Sequence, residues 1–175
     1  MSISLGPGLE VVDQKEGAVK CVGAEEHHIF EGVEFEITAA QDVANDASYD
    51  LLFITPDTTT WARITTMQAA VEGECFLYVY ETTNSAGGTA LTPLNKDRNS
   101  SNTSVLTVTH TPVVTGVGTR IRIAKQGSAF FQGSVNGSML ILKQNTKYLF
   151  RITNVSGATK WVSQQIVWAE HANLV

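Results

Sequence analysis

Two segments of this chain are apolar on both faces of an extended strand, and that restricts the folds able to hold them. In Glu74-Cys-Phe-Leu-Tyr-Val-Tyr-Glu81, the side chains of Phe76, Tyr78 and Tyr80 point one way and those of Cys75, Leu77 and Val79 the other. Tyr49-Asp-Leu-Leu-Phe-Ile-Thr55 has the same character and is stopped by Pro56. A strand apolar on both sides has no face to give to water. Each is therefore expected mid-sheet inside a layered β structure.

The rest of the chain supplies layers around them. Val33-Glu-Phe-Glu-Ile-Thr38 alternates cleanly, with Val33, Phe35 and Ile37 inward and the glutamates outward. Trp61 to Val71 reads as one longer strand, bulged near Thr66. Arg120-Ile-Arg-Ile123 reads with isoleucines in and arginines out. Tyr148, Phe150 and Ile152 share one face of a strand over 147–153, and Val162, Ile166 and Trp168 share one side of a last strand over 161–171. Residues 82–103 form a polar loop rich in Asn, Ser, Thr and Gly, followed by a strand at 104–109. Only residues 39–48 offer a short helix, and Asn45-Asp46 favours a turn there. About nine or ten strands without intervening helices predict an all-β protein, an antiparallel β-sandwich of jelly-roll type. Residues 18–175 form that single domain. Residues 1–17, punctuated by Gly6, Pro7 and Gly8 and anchored by Leu9, Val11 and Val12, form an extended N-terminal arm.

Length and charge agree with a non-enzymatic building block. The 175 residues suffice for one continuous core. Charged residues are 17%, below the roughly 25% of soluble domains. The net charge is −5 with Lys and Arg scattered, so no basic stripe exists to neutralise phosphates, and direct nucleic-acid binding is not expected. No apolar run reaches the roughly 20 residues that span a bilayer, and the N-terminus lacks the features of a signal peptide. Cys21 and Cys75 lie far apart. Cys75 shares an apolar face with Leu77 and Val79, which favours a buried free thiol and leaves a pairing with Cys21 open.

Motifs for chemistry are few. His27 and His28 point to opposite faces of a strand and do not chelate one ion together. Asp42, Asn45, Asp46 and Asp50 lack the spacing and glycine of a calcium loop and read as a solvated turn. Gly116-Val-Gly118 is a plain turn without the helix of an anion site. Sequons at Asn99, Asn102, Asn136 and Asn154 reflect composition. Asn95, Arg98 and Asn99 brace the long loop through backbone hydrogen bonds. Trp61, Trp168 and Tyr78 read as core before they read as a sugar-binding face. No catalytic, cofactor or metal site is expected. The Phe130-Phe131 pair, on a polar loop with little room to bury two rings, is the candidate for exposed apolar contact with a partner, together with Leu9, Val11 and Val12 of the arm.

Several segments together resemble small structural proteins in the virions of tailed bacteriophages. They are Glu26-His-His-Ile-Phe-Glu-Gly32, Phe53-Ile-Thr-Pro-Asp-Thr58 with Trp61-Ala62, Phe76-Leu-Tyr-Val-Tyr-Glu81, Leu91-Thr-Pro-Leu-Asn-Lys-Asp-Arg-Asn-Ser100 and Leu140-Ile-Leu-Lys-Gln-Asn-Thr-Lys-Tyr-Leu-Phe-Arg-Ile-Thr153. The resemblance implies a head-decoration, or cement, protein on the capsid surface, made in the cytoplasm of a host bacterium. It implies the major capsid protein as partner, a dimer or trimer of this chain, and no catalytic residues. The rival expectation is a tail-associated or receptor-binding sandwich that recognises a host surface glycan.

Overall fold

A computed structural model of the chain describes residues 24–127, 131–134 and 140–172. After a short helix α1 (Ala24–Phe30) come β1 (Glu34–Val43), β2 (Ser48–Ile54), β3 (Thr60–Val71) and β4 (Cys75–Glu81). Five short strands follow: β5 (Asn84–Ala86), β6 (Thr89–Leu91), β7 (Leu94–Asn95), β8 (Thr107–His110) and β9 (Val113–Gly116). The chain then forms β10 (Thr119–Gln126), β11 (Phe131–Ser134), β12 (Leu140–Ile141), β13 (Lys147–Asn154) and β14 (Lys160–Ala172).

The strands build an all-β antiparallel sandwich. One sheet runs β11-β3-β14-β1-β7, with β12 also on β3; the other runs β10-β4-β13-β2-β8-β6; β5 and β9 form a separate ribbon. The doubly apolar strands β2 and β4 are both internal, flanked by β13 and β8 and by β10 and β13. Alternation then sorts each strand's side chains. Phe35 and Ile37 of β1, Ile64 and Met67 of β3, Phe53 of β2, Phe150 and Ile152 of β13 and Ile166 and Trp168 of β14 meet in the core. Phe53 lies edge-on to both Trp168 (5.4 Å) and Phe150 (4.9 Å), the arrangement that aromatic quadrupoles favour.

Buried polar groups fasten the turns to this core. Glu170 accepts from Trp168 Nε1 at 2.8 Å and from the Val105 backbone N–H at 3.0 Å, tying the segment before β8 to β14. Asn95 donates to Gly32 O at 2.8 Å and accepts from Asp97 N–H at 2.9 Å, the bracing expected of it. Cys75 is a buried free thiol.

Four expectations are corrected. Residues 24–30 are helical where strand was expected, and His27 and His28 therefore occupy a helix. Seven residues are too few to show a helical period in sequence, and contacts to β3 and β14 hold the segment. Residues 39–43 extend β1, and Ala44–Ala47 turn into β2. The loop at 82–103 contains β5, β6 and β7, each too short to carry an alternation. In β10 the register shifts between Arg120 and Arg122, opposite Tyr80 and Val79. Arg120 and Ile121 lie as read, but beyond the bulge the pattern reverses: Arg122 turns inward beside Ile121, and Ile123 emerges 52% exposed.

Candidate functional site

The outer face of the second sheet brings aromatic, hydroxyl and charged side chains together. Strand pairing places them in rows. Lys125, Phe76, Thr153 and Ser48 run across β10, β4, β13 and β2 in one row. Ile123, Tyr78, Arg151 and Asp50 form the next, and Arg120, Tyr80, Leu149 and Leu52 the third. Leu149 and Leu52 are fully buried, so that corner is covered. The β4 aromatics are half-buried, and Arg120, Ile123 and Lys125 stand exposed along β10.

Each position follows from local physics. Alternate residues of β4 share a face, so Phe76 stacks on Tyr78 (5.9 Å between ring centroids, 22° between planes) and Tyr78 lies 5.7 Å from Tyr80. Lys125 Nζ sits 5.6 Å over the Phe76 ring and 2.6 Å from Glu74, held by a cation–π contact and an ion pair. Asp50 and Arg151, opposite each other on β2 and β13, make a bidentate pair with both N–O distances 2.7 Å. Those hydrogen bonds raise Arg151 above its already high range, against the opposing effect of burial. Burial raises the Tyr80 hydroxyl, which stays a neutral donor and acceptor at physiological pH. Ser48 and Thr153 hydroxyls bond each other at 2.8 Å.

The arrangement offers ring surface, hydroxyls, and the positive charges of Arg120 and Lys125 on a face whose central guanidinium is locked in place. These are means of binding. Beneath the face, between the sheets, lies an apolar cleft of about 400 Å³ lined by Met67, Leu77, Val79, Ile121, Phe150 and Ile166. Among the described residues no three His, Cys, Asp or Glu side chains gather as metal ligands.

The residues expected at a partner surface fare differently. Leu9, Val11, Val12 and Phe130 lie outside the described residues, as does the side chain of Phe131, whose backbone belongs to β11. The aromatics weighed as a sugar face do not come together. Trp168 is in the core, Trp61 is on β3 in the first sheet, and Tyr78 is on β4 in the second. The missed site residues are Phe76, Tyr80, Ile123 and Arg120. The i, i+2 spacing of Phe76, Tyr78 and Tyr80 was the available signal, and the apolar character of both faces of β4 obscured it. Comparison with protein-family models and with curated proteins gave no match.

Proposed function

We propose that this chain is a non-enzymatic structural protein of a tailed-phage virion, a decoration protein that binds the outside of the head and stabilises the shell. The observation that carries the reading is the Phe76–Tyr78–Tyr80 face with Arg120, Ile123 and Lys125 beside it. Aromatic and arginine side chains dominate the energetics of protein contacts, and here they stand on a sheet stiffened by the Asp50–Arg151 pair. The winding supports it as well. Strands β1-β14-β3-β11 face β2-β13-β4-β10, and successive strands β1 to β4 alternate between the sheets. Read as a jelly roll, this is an architecture that recurs in viral capsid and lectin domains. The partner is the major capsid protein, and copies cluster in twos or threes so that many modest contacts add across the shell.

Co-sedimentation with purified heads lacking this protein tests the proposal. Binding to expanded heads, little binding to unexpanded ones, and at least about tenfold weaker binding of Tyr78→Ala/Ile123→Asp are expected, tenfold being about 1.4 kcal/mol. Deleting residues 1–17 should weaken binding further. Equal binding by the double variant, or no binding to heads, refutes it.

One observation favours a second reading. The stacked β4 rings beside the Ser48 and Thr153 hydroxyls also suit the flat apolar face and hydroxyl rim of a sugar, as in a receptor-binding module. Glycan-array signals that vanish in Tyr78→Ala, with head binding absent, select it.

A further inference from the structure

Helix α1 is docked on the first sheet through a contact that requires an uncharged histidine. His28, only 8% exposed, accepts a hydrogen bond on Nδ1 from Arg63 Nη2 of β3 at 3.3 Å. A guanidinium can only donate, so the His28 ring is neutral with its proton on Nε2. His171 of β14 packs edge-on against the same ring, 4.6 Å between centroids. A proton on His28 Nδ1 turns the acceptor into a donor facing a donor. A second proton on His171 then sets three positive groups together.

Little nearby charge relieves this. On the α1 side, Glu31 favours the protonated forms, but it is 46% exposed and already pairs with His27 Nε2 at 3.1 Å. On β1, the buried Glu34 carboxylate is held by Lys96 at 3.4 Å and by Thr65 of β3 at 3.4 Å. Among the described residues, the buried Nε of Arg63 has no hydrogen-bond partner. His27 adds to the repulsion.

We infer that α1 is an acid-released latch: protonation of His28 and His171 undocks the helix while the sandwich stays folded. The release stops at Gly32, whose carbonyl is gripped by Asn95 at 2.8 Å and Asn102 at 3.1 Å. Burial, then the His171 and Arg63 charges, lower the pKa of His28; burial, then Arg63, lower that of His171. A histidine lowered in the docked state takes up its proton more readily once released. Docking is therefore strongest above the free value near 6.5 and weakens as pH falls below it.

Hydrogen exchange of the full chain at about pH 7.5 and about pH 5, expressed as protection factors so that intrinsic pH effects cancel, is the test. The Glu31, Gly32 and Val33 amides, which bond to His27, Ile29 and His28 carbonyls, report on the latch. Their protection should fall severalfold at the lower pH while amides of β13 and β14 keep theirs. In His28→Gln, an acceptor that does not titrate, most of that pH dependence should disappear. Unchanged protection of the three amides in the wild-type chain overturns the inference, as does loss of protection throughout the sandwich at the same pH.

Discussion

Replacing Asn154 by Ala tests whether the hairpin turns are held by one buried amide. Asn154 is fully buried at the end of β13. Its Nδ2 donates to Val43 O and Ala158 O, both at 2.8 Å, and its Oδ1 accepts from Ser156 N–H at 3.0 Å. Truncation leaves Val43 O and Ser156 N–H without this partner, while Ala158 O keeps the Ser156 hydroxyl at 3.1 Å. One buried and one part-buried group left without this partner, at about 1–3 kcal/mol each and partly repaired by water entering the space, give a cost of about 3 kcal/mol. In a chain of this size that is a fall in Tm of roughly 6–12 °C. Asn154→Asp keeps the shape and the Ser156 bond but sets a carboxylate against two carbonyl oxygens. It should be at least as damaging at neutral pH, with the deficit relieved as acid protonates it. Equilibrium urea unfolding, followed by the fluorescence of buried Trp168, measures both. A cost below about 1 kcal/mol for the alanine variant, or wild-type stability for the aspartate at neutral pH, refutes the reasoning.

Three further outcomes are expected. Gly118→Ala should lower stability by about 3 kcal/mol, because φ is +80° and the added Cβ falls 2.3 Å from Glu81 O; Gly157→Ala, at φ +86° in open space, should cost only about 1 kcal/mol in the same urea titration. Burial, with a smaller contribution from Glu74, pushes the Cys75 thiol up to about 11, so at about pH 8 its thiolate is scarce. Iodoacetamide labelling of Cys75, read by peptide mass spectrometry, should then wait on unfolding, and rapid labelling of the folded chain contradicts the burial. Asp50→Leu or Arg151→Leu alone should cost about 3 kcal/mol by stranding the partner, while the Asp50→Leu/Arg151→Leu double variant recovers most of it, measured as a double-mutant cycle.

The sandwich was legible where sequence patterns were long and locally enforced. The inward set Tyr148, Phe150 and Ile152, and the set Val162, Ile166 and Trp168, fall where alternation placed them. So do the internal positions of β2 and β4. Two kinds of information were absent. One is register: a single extra residue in β10 exchanges Arg122 for Ile123 at the surface, and nothing in Arg120-Ile-Arg-Ile123 announces it. The other is what covers a face. Leu52 and Phe76 lie on the same side of one sheet, yet Leu52 is fully buried and Phe76 half-open, because cover over the sheet is uneven. The apolar residues of β4 therefore pointed to burial where the fold leaves a half-open face. Likewise Glu34 alternates outward as read, but it is buried beside Lys96 and Thr65.

The kinked β10 edge has a consequence for crowding. At the end of its sheet among the described residues, this strand is bent by the Ile121 bulge and carries the exposed Arg120 and Lys125. Another main chain approaching it meets misaligned amides and, in a second copy of itself, like charge. Molecules pressed together at high density are thus kept from zippering into fibrils along that border.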